Sequence, residues 1–134
     1  MSEREYTRVG DVMTPSPQVI DGMASVREAI ERMRDAGVSS LIIDRRYPGD
    51  EYGMLSVHDI AGEVIGKDRS AERTSVYEIM SKPVLTVDVS MDVKYAIRLL
   101  TRFRLTRALV TEQGAMVGIV TLRDMAIRYG DEHG

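Results

Sequence analysis

The chain has 134 residues, 43% hydrophobic and 29% charged, which is the usage of an ordinary globular domain rather than a disordered or membrane-embedded chain. A formal net charge of -3 removes any broad electrostatic attraction to nucleic acid. Without cysteine there is no disulfide, zinc ribbon or thiol chemistry, and no apolar run approaches the roughly 18 residues a membrane span requires.

The charged opening "MSEREYTRVG" lacks the apolar core of a secretory signal, so a cytoplasmic protein is expected. A short helical turn, "VGDVM", leads into an extended segment ending at Ile20. Ser25 and Glu28 then have the spacing of a capping box, and Val26, Ala29, Ile30 and Met33 recur at helical intervals. A strand "LIID" follows, then a turn marked by Pro48 and Gly49, a second strand into "GMLS", and a helix from Val57 towards Ile65. The charged "GKDRSAERT" reads as a solvated linker.

The pattern then starts again. "SVYEIM", with Ser75 and Glu78 as a second capping box, leads to an extended segment ending at Val87. Asp92 caps a helix whose apolar stripe is Val93, Ala96, Ile97 and Leu100. "ALVT", a turn at Gly114, "GIVT" and a helix from Leu122 towards Arg128 complete it, and the tail "GDEHG" is expected to fray.

The recurrence is a duplication. Residues 11–44 align with 78–111 without a gap at an offset of 67 (13 to 80, 26 to 93), matching Met13 with Met80, Asp21 with Asp88 and Val26 with Val93. The offset then becomes 65 (53 to 118), because the first copy carries two extra residues in "RRYPGDEY". The expected division is a first repeat over 7–66, a linker over 67–74 and a second repeat over 75–130. About sixty residues are marginal alone, so the two form one pseudo-symmetric domain.

Two matched stretches hold candidate chemistry: "GMLSVHD", from Gly53 to Asp59, and "GIVTLRD", from Gly118 to Asp124. Each turns a strand into a helix with a hydroxyl, Ser56 or Thr121, three residues before a carboxylate, Asp59 or Asp124. That spacing is a variant of the capping box, and capping alone accounts for it. A second reading is compatible. The glycine in the strand suggests close approach of a ligand, and a helix start favours anions. The carboxylate can accept hydrogen bonds from ribose hydroxyls, and Met54, Leu55, Ile119 and Val120 supply an apolar wall for a flat base.

The tandem of "DVMT…SVREAIERM…SLIID…GMLSVHDI" and "EIMSKPV…DVKYAIRLL…ALVT…GIVTLRDM" resembles a pair of CBS domains, the cystathionine β-synthase motif, from about Val9 to Tyr129. The resemblance implies an α/β (α+β) fold of two β-α-β-β-α repeats packed sheet to sheet. It also implies clefts between them that bind AMP, ADP, ATP or S-adenosylmethionine, with no other cofactor. By that resemblance Asp59 and Asp124 hold ribose hydroxyls, and Ser56 and Thr121 contact ribose or phosphate. Val38, Ser39, Leu105 and Thr106 help form the base pockets. Met54 and Ile119 belong to the same nucleotide-binding set, and Met13 and Met80 sit near the clefts. Two departures are visible: Leu41 and Ala108 stand where the family often has proline, and Thr111 replaces an acidic residue that Asp44 keeps.

The halves also differ in charge. The first has "DAGVSS" before its middle strand; the second has "TRFRLTR", with Arg102, Arg104 and Arg107. Arg104 and Arg107 could clamp a phosphate near Asp124, or lie on a solvated face favourable to a helix end. No catalytic residue is assigned, since the two histidines, His58 and His133, have no nucleophile motif to serve, and no metal site is read.

The expected function is therefore a non-catalytic sensor of adenosine derivatives, forming a homodimer as the family does and acting on a separate effector protein. The alternatives are a partner-binding scaffold with vestigial clefts, and a nucleic-acid-binding protein that uses the Arg102–Arg107 strip.

Overall fold

The computed structural model describes residues 6–133; the charged stretch before Tyr6 and Gly134 lie outside the described residues. In chain order the elements are α1 (Val9–Val12), β1 (Thr14–Pro15), β2 (Val19–Ile20), α2 (Val26–Ala36), β3 (Ser40–Ile43), β4 (Gly53–Ser56) and α3 (Val57–Ile60), which runs on as a π turn over Ala61–Ile65. They continue with α4 (Val76–Ile79), β5 (Thr86–Asp88), α5 (Val93–Arg102), β6 (Arg107–Glu112), β7 (Ala115–Thr121) and α6 (Leu122–His133). Among the described residues, no helix is long and apolar enough to cross a membrane.

The chain forms two compact units, and their limits are offset from those of the sequence repeats. One unit is Gln18–Val84; the other joins the described residues up to Pro17 to those from Leu85 onward. Each repeat's lead-in segment therefore packs with the other repeat's strands.

In the Gln18–Val84 unit the sheet order is β2-β3-β4, with β2 parallel and β4 antiparallel to β3. Helix α2 begins as its capping box predicts: Ser25 Oγ accepts from Glu28 N at 3.1 Å, and Glu28 accepts from Ser25 N at 3.4 Å. It ends at Gly37, whose φ of 68° is the left-handed conformation glycine adopts most cheaply. Val26, Ala29 and Met33 face a core shared with Leu41, Leu55, Ile60 and Val76. Ser75 starts α4, where Glu78 accepts from Ser75 N at 2.8 Å.

In the other unit the order is β1-β7-β6-β5, with β5 parallel to β6 and both other pairs antiparallel. Asp92 caps α5 by accepting from Lys94 N at 2.8 Å. Val93, Ala96 and Leu100 pack against Val87, Ala108, Val110 and Met125. The expectation of a frayed tail is overturned, because α6 is helical through His133. Tyr129 packs on the core and Arg128 donates to the Asp11 carbonyl at 3.2 Å, which ties the last turns down.

Candidate functional site

Each matched stretch forms a corner at one end of its sheet. In the Gln18–Val84 unit, β3 and β4 pair with Ser40 opposite Ser56, so the residues before β3 lie beside the start of α3. Val57, the first residue of α3, donates from its N–H to the Ser39 carbonyl at 3.0 Å, and Val38 donates to Met33 at 3.0 Å. Val38, Ser39, Ser56 and Asp59 are thus brought together.

The other unit repeats this. Arg107 pairs with Thr121, Leu122 N donates to the Thr106 carbonyl at 2.7 Å, and Leu105 N donates to Leu100 at 2.8 Å. Leu105, Thr106, Thr121 and Asp124 therefore share one corner, with Arg107 on the neighbouring strand. Met54 is buried in mid-strand and bridged to Ser81, while Ile119 pairs with Thr14.

The hydroxyls cap their helices in both corners, Ser56 Oγ accepting from Asp59 N at 3.1 Å and Thr121 Oγ1 from Asp124 N at 3.0 Å. The carboxylates differ. Asp59 Oδ2 accepts from both Ser56 N and Ser56 Oγ at 3.0 Å, so it closes a complete capping box. Among the described residues the Asp124 carboxylate is met only by its neighbour Arg123, at 3.6 Å, and its side chain is 45% exposed. The second corner keeps an acceptor available for a ligand's hydroxyls; in the first, the same acceptor is engaged.

The glycines at the head of each stretch answer to the protein itself. A methyl built on Gly118 would lie 2.5 Å from Met13 Sδ and 2.8 Å from the Thr14 carbonyl oxygen; on Gly53 it would lie 2.9 Å from Met80 Sδ and 3.3 Å from the Ser81 oxygen. Close ligand approach is therefore not the reason for either glycine. The segments that cross them, Met13–Ser16 and Met80–Ser81, flank the corners, and of these residues only Met13 and Met80 are placed near the clefts by the sequence resemblance. The signal was the repeated "VMT" and "IMS".

Arg104 precedes the second corner with a φ of 58°, the left-handed conformation. Its equivalent in the first repeat (37 to 104) is Gly37, at φ 68°. A guanidinium-bearing residue is thus held where the twin uses glycine, at a cost of roughly 1–2 kcal/mol. Arg102 lies over the ring of Phe103 at 5.9 Å instead of pointing alone to solvent. Among the described residues there is no cluster of His, Cys, Asp or Glu suited to a metal.

Comparison with known proteins bears on the fold and the family. The family model of the CBS domain matches twice, over residues 9–66 and 76–130. An uncharacterised protein of the archaeon Methanopyrus kandleri is 28% identical over 116 residues; the match covers 86% of this chain and 56% of that protein's length. The structure of a hexameric CBS-CP12 protein from bloom-forming cyanobacteria superposes with a TM-score of 0.90 at 28% identity, over 96% of this chain and 75% of that one. The CBS domain pair of protein MJ0100, solved in complex with 5'-methylthioadenosine and S-adenosyl-L-methionine, has a TM-score of 0.81 over 96% of this chain and 99% of that one, at 22% identity.

Proposed function

The chain belongs to the CBS domain family as a tandem pair, and from that premise we propose that it is a non-catalytic regulatory module binding an adenosine derivative. The observation that carries the reading is the available carboxylate of Asp124, set at a strand-to-helix corner beside Thr121 and Thr106. Such a carboxylate accepts two hydrogen bonds from a ribose diol, and the helix start favours a phosphate. Leu105 and Ile119 offer apolar surface for the base. Arg104 and Arg107 supply the charge that favours a phosphorylated ligand, AMP, ADP or ATP, at this corner. Val38, Ser39, Met54, Ser56 and Asp59 form the matching set in the first repeat, which binds more weakly because one Asp59 carboxylate oxygen is engaged in its capping box. The same-fold MJ0100 pair with its methylthioadenosine and S-adenosyl-L-methionine supports the ligand class.

Regulation follows from linkage: a ligand that prefers one arrangement of the chain shifts its population, and a partner reads the shift. Exposed Val57, Ile65 and Ile127 on the helices support self-association as a homodimer, with the regulated effector a separate protein. Light scattering that finds only monomer at high concentration overturns the dimer.

The test of ligand class is thermal unfolding against AMP, ADP, ATP, S-adenosylmethionine and guanosine monophosphate. A ligand at about 100 times its dissociation constant adds roughly 2.7 kcal/mol, several degrees in Tm. The expected result is a shift with an adenosine ligand that Asp124→Ala abolishes. A nucleotide-free protein that no adenosine ligand stabilises rejects the reading.

A further inference from the structure

The Gln18–Val84 unit holds a cavity of about 410 Å³ at the Ile43 end of its sheet, the end opposite the Ser40–Ser56 corner. Its walls carry four cationic side chains, Arg32, Arg45, Arg46 and Lys82, together with the Tyr77 ring. Two carboxylates also line it, and both are turned to backbone: Asp21 accepts from Met23 N at 2.8 Å and Asp44 from Arg45 N at 2.7 Å.

The cations are braced without being neutralised one for one. Arg32 uses one N–H on the Val19 carbonyl, at 2.6 Å. Lys82 and Arg46 share a single carboxylate, that of Asp50, at 2.9 Å and 3.4 Å. Asp50 is 6% exposed and stands behind the wall; the Arg46 N–H and the Lys82 ammonium hold its carboxyl far below the usual carboxylate range. Arg46 and Lys82 also lie 5.4 and 5.8 Å from the centre of the Tyr77 ring.

The second repeat serves as an internal control. At the offset of 67 it has Leu99 for Arg32 (32 to 99) and Glu112 for Arg45 (45 to 112), while Lys82 and Tyr77 correspond to Pro15 (82 to 15) and Gly10 (77 to 10). The repeat fold therefore forms without this cluster. The two extra residues of the first repeat lie in the loop that delivers Asp50, so the one insertion separating the copies belongs to the segment that builds the cavity wall.

We propose that this cavity is a second ligand site, private to the Gln18–Val84 unit, for a small organic monophosphate. Arg32, Arg46 and Lys82 converge on the phosphate, and the ring of Tyr77 with the thioether of Met23 receives the apolar or planar part of the molecule. Planar guanidinium forks with an ammonium are the donor set that phosphate geometry favours, and the volume falls in the range of small-molecule sites.

Phenyl phosphate is the probe, since it carries no ribose, and calorimetric titration of the full chain is the measurement. Saturable binding is expected, weakened roughly tenfold by Arg32→Gln and by Arg46→Gln, which is the loss of about one charge-assisted hydrogen bond. Neither change is expected to lower Tm appreciably, whereas Lys82→Gln strands Asp50 and is avoided. Arg73→Gln, an exposed charge-matched control, should bind as the parent chain does. No binding, equal binding by the parent and both arginine variants, or an equal loss in Arg73→Gln each overturns the site. Inorganic phosphate binding as tightly as phenyl phosphate overturns the role given to Tyr77.

Discussion

In the first repeat the Asp59 carboxylate folds back onto Ser56 and completes its helix start, whereas in the second the Asp124 carboxylate stays at the surface with, among the described residues, only Arg123 beside it. The two stretches read almost identically, and both hydroxyls cap. The repeats therefore separate two roles that sequence superimposes: the hydroxyl belongs to the helix in both copies, while the carboxylate belongs to the helix in one and is available in the other. Under the proposed function, a duplicated motif in this way keeps one copy for stability and one for recognition without changing its signature residues.

The condition common to both corners is the glycine, and altering it should produce the largest effects. Gly118→Ala drives a methyl against the Thr14 carbonyl oxygen and Met13, and overpacking of this kind costs roughly 1–3 kcal/mol. Gly53→Ala meets a flexible sulfur first and backbone only at 3.3 Å, so its cost should lie at the lower end, about 1 kcal/mol. Urea titration should show the larger fall in midpoint for Gly118→Ala at unchanged m-value. Equal losses would mean that the crossing segments yield alike and that the corners are sterically equivalent.

The aspartates sharpen the comparison because they should dissociate stability from binding. Asp59→Ala removes a capping-box acceptor and should cost about 1 kcal/mol of stability, with little effect on affinity for an adenosine nucleotide. Asp124→Ala should change stability by less than roughly 0.5 kcal/mol, yet weaken the nucleotide tenfold or more, the order of a lost hydrogen bond to a charged group. Paired urea and titration measurements on both variants decide this. If Asp59→Ala loses the ligand and Asp124→Ala loses the stability, the roles are assigned the wrong way round.

What sequence could show here was set by the range of the interaction. The duplication was legible because residue types recur in order at a fixed offset, and the capping boxes at Ser25 and Ser75 and the apolar stripes of α2 and α5 because each is encoded within a few residues. The pairing of Thr14 with Ile119 was not, since nothing local in "DVMT" names a strand more than a hundred residues away. That pairing is what explains the glycines, which is why reading them as points of ligand approach failed. The helical end of α6 was missed for the same reason, as Tyr129 and Arg128 are anchored by residues distant in sequence. The basic cavity is assembled from β2, α2, the loop after β3 and the segment around α4, and none of these is remarkable by itself. At the corners, residue types were legible and their hydrogen-bond partners were not.

The smallest effect concerns the residue that enters the second corner. Arg104 and Gly37 occupy the same turn at φ 58° and 68°, and a non-glycine side chain there crowds its own backbone. Arg104→Gly should therefore stabilise the chain by up to about 1 kcal/mol, although glycine's greater freedom in the unfolded state offsets part of that gain. If the arginine is kept for its charge, the same substitution should weaken AMP or ATP several-fold while leaving adenosine, which has no phosphate, nearly unaffected. The reciprocal Gly37→Arg change imposes the strain on the first repeat and should destabilise it by a similar amount. Opposite signs on stability and phosphate affinity for Arg104→Gly would identify a strained residue retained for recognition. A variant that is both more stable and equally avid for AMP would leave the left-handed arginine as a tolerated relic of the duplication, and phosphate selection at this corner would then rest on Arg107 alone.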